Sequence, residues 1–227
     1  MKIIIKKKSF IKTFYENVIK NKLPNTENLF EEVTTEFKEI LNAQPVPKEA
    51  KALDLGYGYG NYSLAMARRG FIVDAIDFIP KKYFTNRLQL EEQHKKIKVI
   101  REDLFFFEPK GDFDFVVAKD VLHYLPREKV ESLLDRLVKI TKSQGQHYIS
   151  IFVDIKRQSD SGKIQVENEA NLSSVTLLKW CNEIYKNWDV SIMFEIYKEK
   201  DRSGVEGKFY FIAKKVTIIA KKGSPLV

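Results

Sequence analysis

Lys51 to Gly60 reads KALDLGYGYG. A short apolar run, Ala52-Leu53-Asp54-Leu55, feeds directly into glycines at alternate positions, Gly56, Gly58 and Gly60. A segment of helical character, Asn61 to Arg69, follows at once. A strand that turns over glycines into a helix is tight, and it lets a ligand approach bare backbone at a helix N-terminus. The unit belongs to α/β sheets in which ligands bind beyond the carboxyl ends of parallel strands.

Later segments repeat the alternation. Phe71 to Asp77 reads as a second strand ending in an acid, and Asp77 lies close to the ~20 residues from the glycine turn expected of a carboxylate that grips ribose hydroxyls. Ile97 to Arg101 reads as a third strand, ending at Glu102-Asp103-Leu104. Phe113 to Ala118 reads as a fourth, leading into Lys119-Asp120-Val121-Leu122-His123-Tyr124. A tight turn, Ser143 to Gln146, precedes a fifth strand, His147 to Val153, and Ile155 to Ala170 is polar and unpatterned, as in a surface loop. Ser173 to Lys186 has helical spacing. The tail reads as an antiparallel hairpin, Val190 to Tyr197 and Phe209 to Ala220, turning near Lys200 to Gly204.

The glycine spacing is not the dinucleotide fingerprint, because the third glycine arrives one residue early. Asp54, just before the first glycine, would repel a pyrophosphate but suits the ammonium of a methionine moiety. Asp54, Gly56, Gly58 and Gly60 resemble the acidic-x-Gly-x-Gly-x-Gly motif of class I S-adenosylmethionine (SAM) dependent methyltransferases. The run LDLGYGYGNYSLAMARRGFIVDAID, the turn Asn187-Trp188-Asp189 and the basic hairpin end are most similar to the tellurite-resistance-type, small-molecule members. The chain departs from them in Tyr57, where Cys is usual, and in Tyr197-Lys198, where a His-Arg pair is expected.

The resemblance implies a Rossmann-like α/β fold: a seven-stranded, mostly parallel sheet with its last strand antiparallel and helices on both faces. It implies a methyltransferase domain over residues 49–227 and SAM as cofactor. Asp54, Gly56, Tyr57, Gly58, Tyr59, Gly60, Asp77, Phe78, Asp103, Leu104 and Lys119 become its expected contacts, with Asp103 accepting from the adenine amino group. Tyr57 and Tyr59 would sit beside the sulfonium, where an aromatic face is favourable. His123, Tyr124 and Tyr197 are the catalytic candidates near the methyl. Residues 1–48 read as a helical extension and a candidate lid. In it, Phe10, Phe14 and Tyr15 have near-helical spacing, Tyr15 could close over the cofactor, Leu23 to Thr26 reads as a cap, and Leu29 to Leu41 as an amphipathic helix.

Composition narrows the remaining classes. Hydrophobic residues make up 44% of 227, enough for a sizeable core and against disorder. No apolar run approaches a membrane span, and no secretory signal is legible, so a cytoplasmic chain without a membrane partner is expected. One cysteine, Cys181, fits a reducing compartment, and three histidines lack metal-ligand spacing. The net charge is +8, but the lysines are spread in short clusters along the chain. The resemblance implies a small-molecule acceptor, such as an oxyanion or a thiol, and the dispersed lysines do not argue against it. An RNA or protein methyltransferase and a non-catalytic SAM-binding module are the alternatives. Against the nucleic-acid reading, Lys119-Asp120-Val121-Leu122 lacks an Asn/Asp-Pro-Pro-aromatic motif.

Overall fold

The computed structural model describes residues 2–21, 33–89, 91–159, 161–200 and 209–224. The chain opens with a strand, Ile3–Lys6 (β1), and a helix, Lys8–Asn21 (α1). A second helix, Thr35–Ala43 (α2), starts at Thr34, whose hydroxyl accepts from the Phe37 N–H. The expected helix over 29–41 is thus described from residue 35 onward, and the cap expected at Leu23 to Thr26 lies outside the described residues. The extension, read as helical, differs in opening with a strand.

Four strands and their crossovers follow: Lys51–Leu55 (β2), Asn61–Arg69 (α3), Ile72–Asp77 (β3), Lys82–Leu88 (α4), Ile97–Arg101 (β4) and Phe113–Lys119 (β5). After Arg127–Lys139 (α5) comes the long strand Thr141–Ser159 (β6), then Gly162–Val166 (β7) and Ser174–Ile184 (α6). Trp188–Lys200 (β8) and Phe209–Lys222 (β9) close the chain as an antiparallel hairpin whose turn lies outside the described residues.

Among the described residues the sheet has nine strands, where seven are expected. Seven follow the expected plan: β4, β3, β2, β5 and β6 pair in parallel, and β9 lies antiparallel between β6 and β8. The other two come from segments read as loop and helix. Residues 155–170 are not a loop throughout, because β6 runs on to Ser159, folds back, and pairs antiparallel with β7. β1 then adds in parallel to β7. A break in register between Val153 and Lys156, with Asp154 at φ 51°, bends β6 where its second set of partners begins. Ser143 to Gln146 is not a turn before a strand but a bulge within β6, with Gln144 at φ 63°.

Helices cover both faces of the sheet. Leu53 and Leu55 point toward Leu133, Leu134 and Leu137 of α5 and Trp180 of α6. Ala52, Val73 and Val117 point the other way, toward Phe37 of α2, Leu64 of α3 and Phe84 of α4. Phe37, Phe71, Phe84 and Phe115 are fully buried, and each such side chain contributes roughly 1.5–3 kcal/mol. These layers fix the strand ends on which the site stands.

Candidate active site

The glycine turn has the backbone its sequence demands. Gly56, Gly58 and Gly60 lie at φ 77°, 53° and 86°, and Gly60 begins α3. A β-carbon on Gly60 would stand 2.0 Å from the Phe84 ring. Asp77, at the end of β3, buttresses the turn: its carboxylate accepts from the Gly58 N–H at 2.9 Å and the Ile79 N–H at 3.1 Å. Burial pushes its pKa up to about 6 against those hydrogen bonds.

Gly56, Gly58, Asp77, Phe78, Asp103, Leu104, Lys119, Tyr15 and Tyr124 line one cavity over the ends of β2 to β5. These residues come from five separate segments: the sheet order brings four of them together at the ends of β2 to β5, and α1 supplies Tyr15. Asp103 accepts from Lys12 Nζ at 2.6 Å and from the Phe105 N–H at 3.0 Å, with Lys8 at 3.7 Å. Burial opposes its ionisation, but these partners outweigh it and hold the carboxyl below its ordinary range. Helix α1 lies across the cavity, contributing Lys8, Ile11, Lys12 and Tyr15 to its lining, and the Tyr15 and Tyr124 hydroxyls meet at 2.8 Å. The enclosed space is about 90 Å³, below the ~300–1,000 Å³ typical of ligand clefts.

The other expected residues stand back from this cavity. Asp54 is buried beneath the turn, where its carboxylate accepts from Ser63 Oγ at 2.5 Å and so ties β2 to α3. Burial pushes it up to about 7, helped by the nearby Asp77 charge. The positive φ on both sides of Tyr57 swings its ring onto Phe84, and its hydroxyl donates to the Ile79 carbonyl at 3.1 Å. Tyr59 stacks against the Arg87 guanidinium, and Gly60 abuts Phe84. Neither tyrosine therefore flanks the cavity as expected.

Among the catalytic candidates only Tyr124 lines the cavity. His123 is buried with its ring against Tyr124 and Phe152. Burial and the nearby Arg157 charge lower its pKa to about 3, so it is neutral at physiological pH. Its ring nitrogens find no hydrogen-bond partner among the described residues. Tyr197 packs on Phe152 and Phe211 in a separate aromatic cluster.

Sequence reasoning missed Lys8, Lys12 and Asp120. The first two share one helical face with Tyr15 at spacings of four and three, a signal present in the sequence. Asp120 has φ 52°, which places its buried carboxylate between Lys119 Nζ at 2.6 Å and Lys215 at 3.9 Å, with Ser150 donating to it. Burial resists its ionisation, but the two lysines and the hydroxyl hold it below the usual carboxylate range. No helix among the described residues is long and apolar enough to cross a membrane.

Known proteins share this framework. Residues 52–145 match the family described as "Methyltransferase domain". The "Probable S-adenosyl-L-methionine-dependent methyltransferase TehB" of Haemophilus influenzae is 27% identical over 112 residues, 49% of this chain and 39% of that protein. The ubiquinone biosynthesis O-methyltransferase of Rickettsia akari is 26% identical over 141 residues, 62% of this chain and 53% of that protein. The chain thus spans about half or less of the length of these curated relatives. The crystal structure of Haemophilus influenzae TehB superposes with a TM-score of 0.62 at 20% identity, covering 92% of this chain and 67% of that one. A Burkholderia thailandensis 1,6-didemethyltoxoflavin-N1-methyltransferase, solved with 1,6-didemethyltoxoflavin and S-adenosylhomocysteine, superposes with a TM-score of 0.61 at 15% identity, covering 96% and 87%. The glycine turn and the sheet order agree with the match of residues 52–145 to a methyltransferase domain and with the fold of these solved methyltransferases.

Proposed function

We propose that this chain is a SAM-dependent methyltransferase acting on a small-molecule acceptor. The observation that carries the reading is the convergence of the bare glycine backbone, Asp77 and Asp103 on one cavity. The residues fit the cofactor. The glycines admit a close approach, Asp77 keeps acceptor lone pairs for vicinal ribose hydroxyls, and Asp103 is an acceptor for an exocyclic amine. Phe78 and Leu104 supply apolar surface beside it.

SAM supplies an electrophilic methyl on a sulfonium, and the residues of the chain align and shield the transfer. Lys119 and Asp120 form a fixed charge pair at the cavity's edge, and Tyr15 and Tyr124 close it through their hydroxyls. Asp120 is held ionised and already engaged, so it serves as an anchor for Lys119 and not as a strong base. His123 does not line the cavity. The acceptor is accordingly a small nucleophile that reacts without a buried general base, such as an oxyanion or a thiolate.

Residues 1–48 act as a lid on the domain formed by 49–227. A roofed cavity suits a small acceptor better than an RNA or protein one. Entry of the cofactor requires α1 to withdraw Lys12 from Asp103. The single buried Cys181 fits a cytoplasmic enzyme.

Isothermal titration with SAM, S-adenosylhomocysteine and NAD tests the cofactor. Binding of the first two and not the third is expected, and the reverse order overturns the reading. Removing residues 1–21 should speed cofactor release and lower turnover of small acceptors. Unchanged release and turnover would exclude the lid.

A further inference from the structure

Helix α1 has two apolar faces where a roof needs one. Its inner face closes the cavity through Ile11 and Tyr15 and buries Val18 and Ile19. The outer face of a helix on a globular protein is ordinarily polar. Here it carries Phe10 and Phe14, one turn apart, 46% and 41% exposed. β1, just before the helix, is an edge strand paired only with β7 among the described strands, and it turns Ile3 and Ile5 to solvent at 56% and 68%. The loop after β4 adds Phe105 and Phe106, whose rings touch edge to face, the latter 70% exposed. Lys8 Nζ stands 5.1 Å from the Phe105 ring centre, joining this loop to the start of α1.

The apolar side chains are bordered by positive charge. Lys6 stacks on Phe10 at 4.9 Å, and Lys2, Lys7 and Lys20 are exposed along the same segment. The acids nearby are matched: Asp103 by Lys8 and Lys12, and Glu16 by Arg101 at 4.0 Å. We propose that the outer surface of β1, α1 and the Phe105-Phe106 loop docks peripherally on an anionic phospholipid bilayer. Apolar side chains set among lysines supply the two signals, hydrophobic insertion and attraction to acidic headgroups, that reversible surface binding requires. A second copy of this chain would present the same positive charge to itself. A single-stranded RNA would stack on the phenylalanines but would leave the isoleucines without a role. The sequence suggested no membrane partner because no segment spans a bilayer, and a surface contact needs no span.

The 227-residue chain, without cofactor or acceptor, should co-sediment with vesicles of phosphatidylcholine and phosphatidylglycerol and not with phosphatidylcholine alone. Salt at about 1 M, where the screening length is ~3 Å, should weaken the binding strongly. Phe10→Ser with Phe14→Ser should weaken it about tenfold or more. Lys2→Gln and Lys7→Gln should each weaken it about fivefold. The β8 surface also exposes Phe194 and Ile196, at 50% and 61%. Phe194→Ser with Ile196→Ser should leave vesicle binding intact. Thermal melts of each variant report whether the fold is kept, and the lysine variants carry the test should the phenylalanine pair melt early. Absent binding, equal binding to neutral vesicles, loss of binding in the β8 variant alone, or salt-sensitive RNA binding without vesicle binding would each overturn the proposal.

Discussion

Asp54→Asn should remove the share of the fold's pH-dependent stability that Asp54 carries, leaving that of Asp77, whose pKa burial raises to about 6. Asp54 is 2% exposed and its pKa is raised by burial from 3.8 to about 7. Because the folded-state pKa is raised, the fold prefers the protonated carboxyl. Its full contribution is present below pH 3.8 and is lost as pH rises through 7. Between pH 4 and pH 8 this amounts to about 4 kcal/mol of unfolding free energy, from a shift of about three units at 1.36 kcal/mol each. Asparagine cannot ionise, and its amide leaves one donor short of a partner at a cost of ~1–3 kcal/mol that does not vary with pH. The wild-type minus variant difference, measured by urea unfolding at both pH values, should therefore shift by about 4 kcal/mol in favour of the variant on going from pH 4 to pH 8. A flat difference would mean that Asp54 is ionised throughout, and that its bond to Ser63 does not act as a protonated pair. The same variant asks what the acid is for. If its carboxylate also faces a ligand's ammonium, SAM affinity should fall while stability at pH 8 rises.

Three further outcomes follow from the geometry. Gly60→Ala should destabilise the fold by at least ~2 kcal/mol in urea unfolding, since φ is 86° and the new methyl meets Phe84; Phe84→Ala in the same chain should relieve part of the added cost. Glu169→Gln strips the bidentate partner from buried Arg157, whose two nitrogens donate at 2.6 Å. It should cost ~3–5 kcal/mol, and replacing both residues by leucine should recover most of that in the same assay. Lys12→Ala removes a half-exposed ion pair worth ~1 kcal/mol or less, so stability should barely change while stopped-flow SAM association accelerates; an unchanged association rate would show that the Lys12–Asp103 contact does not gate entry.

The parallel body was readable because its signals are local. Glycines that must adopt positive φ, apolar runs with acids at their ends, and Ser173 ahead of helical spacing each act within a few residues. β7 gave no such signal. Gly162-Lys163-Ile164-Gln165-Val166 does alternate buried and exposed, but it is short, and its partners are Arg157 to Ser159 on one side and Ile3 to Lys6 on the other. Pairing across some 160 residues leaves no trace in a local window. The site divides the same way. Strand ends identified Asp77 and Asp103 as cavity-lining acids, while the side toward which a turn throws its side chains decided against Tyr57 and Tyr59. Lys12 escaped notice because its partner is ninety-one residues away.

The pairing of β1 with β7 also sets an order of assembly. Ile3 to Lys6 are made before β2 to β6, yet their sheet partners, Lys163 to Val166, follow only after those strands. Until then β1 lacks the strand it pairs with, while β2 to β5 can already form beside one another. The roof therefore settles only after β7 has been made, later than the strands whose ends it covers. A nascent chain holding every residue of the glycine turn still lacks a closed chamber, so the capacity to retain a ligand arises late and all at once.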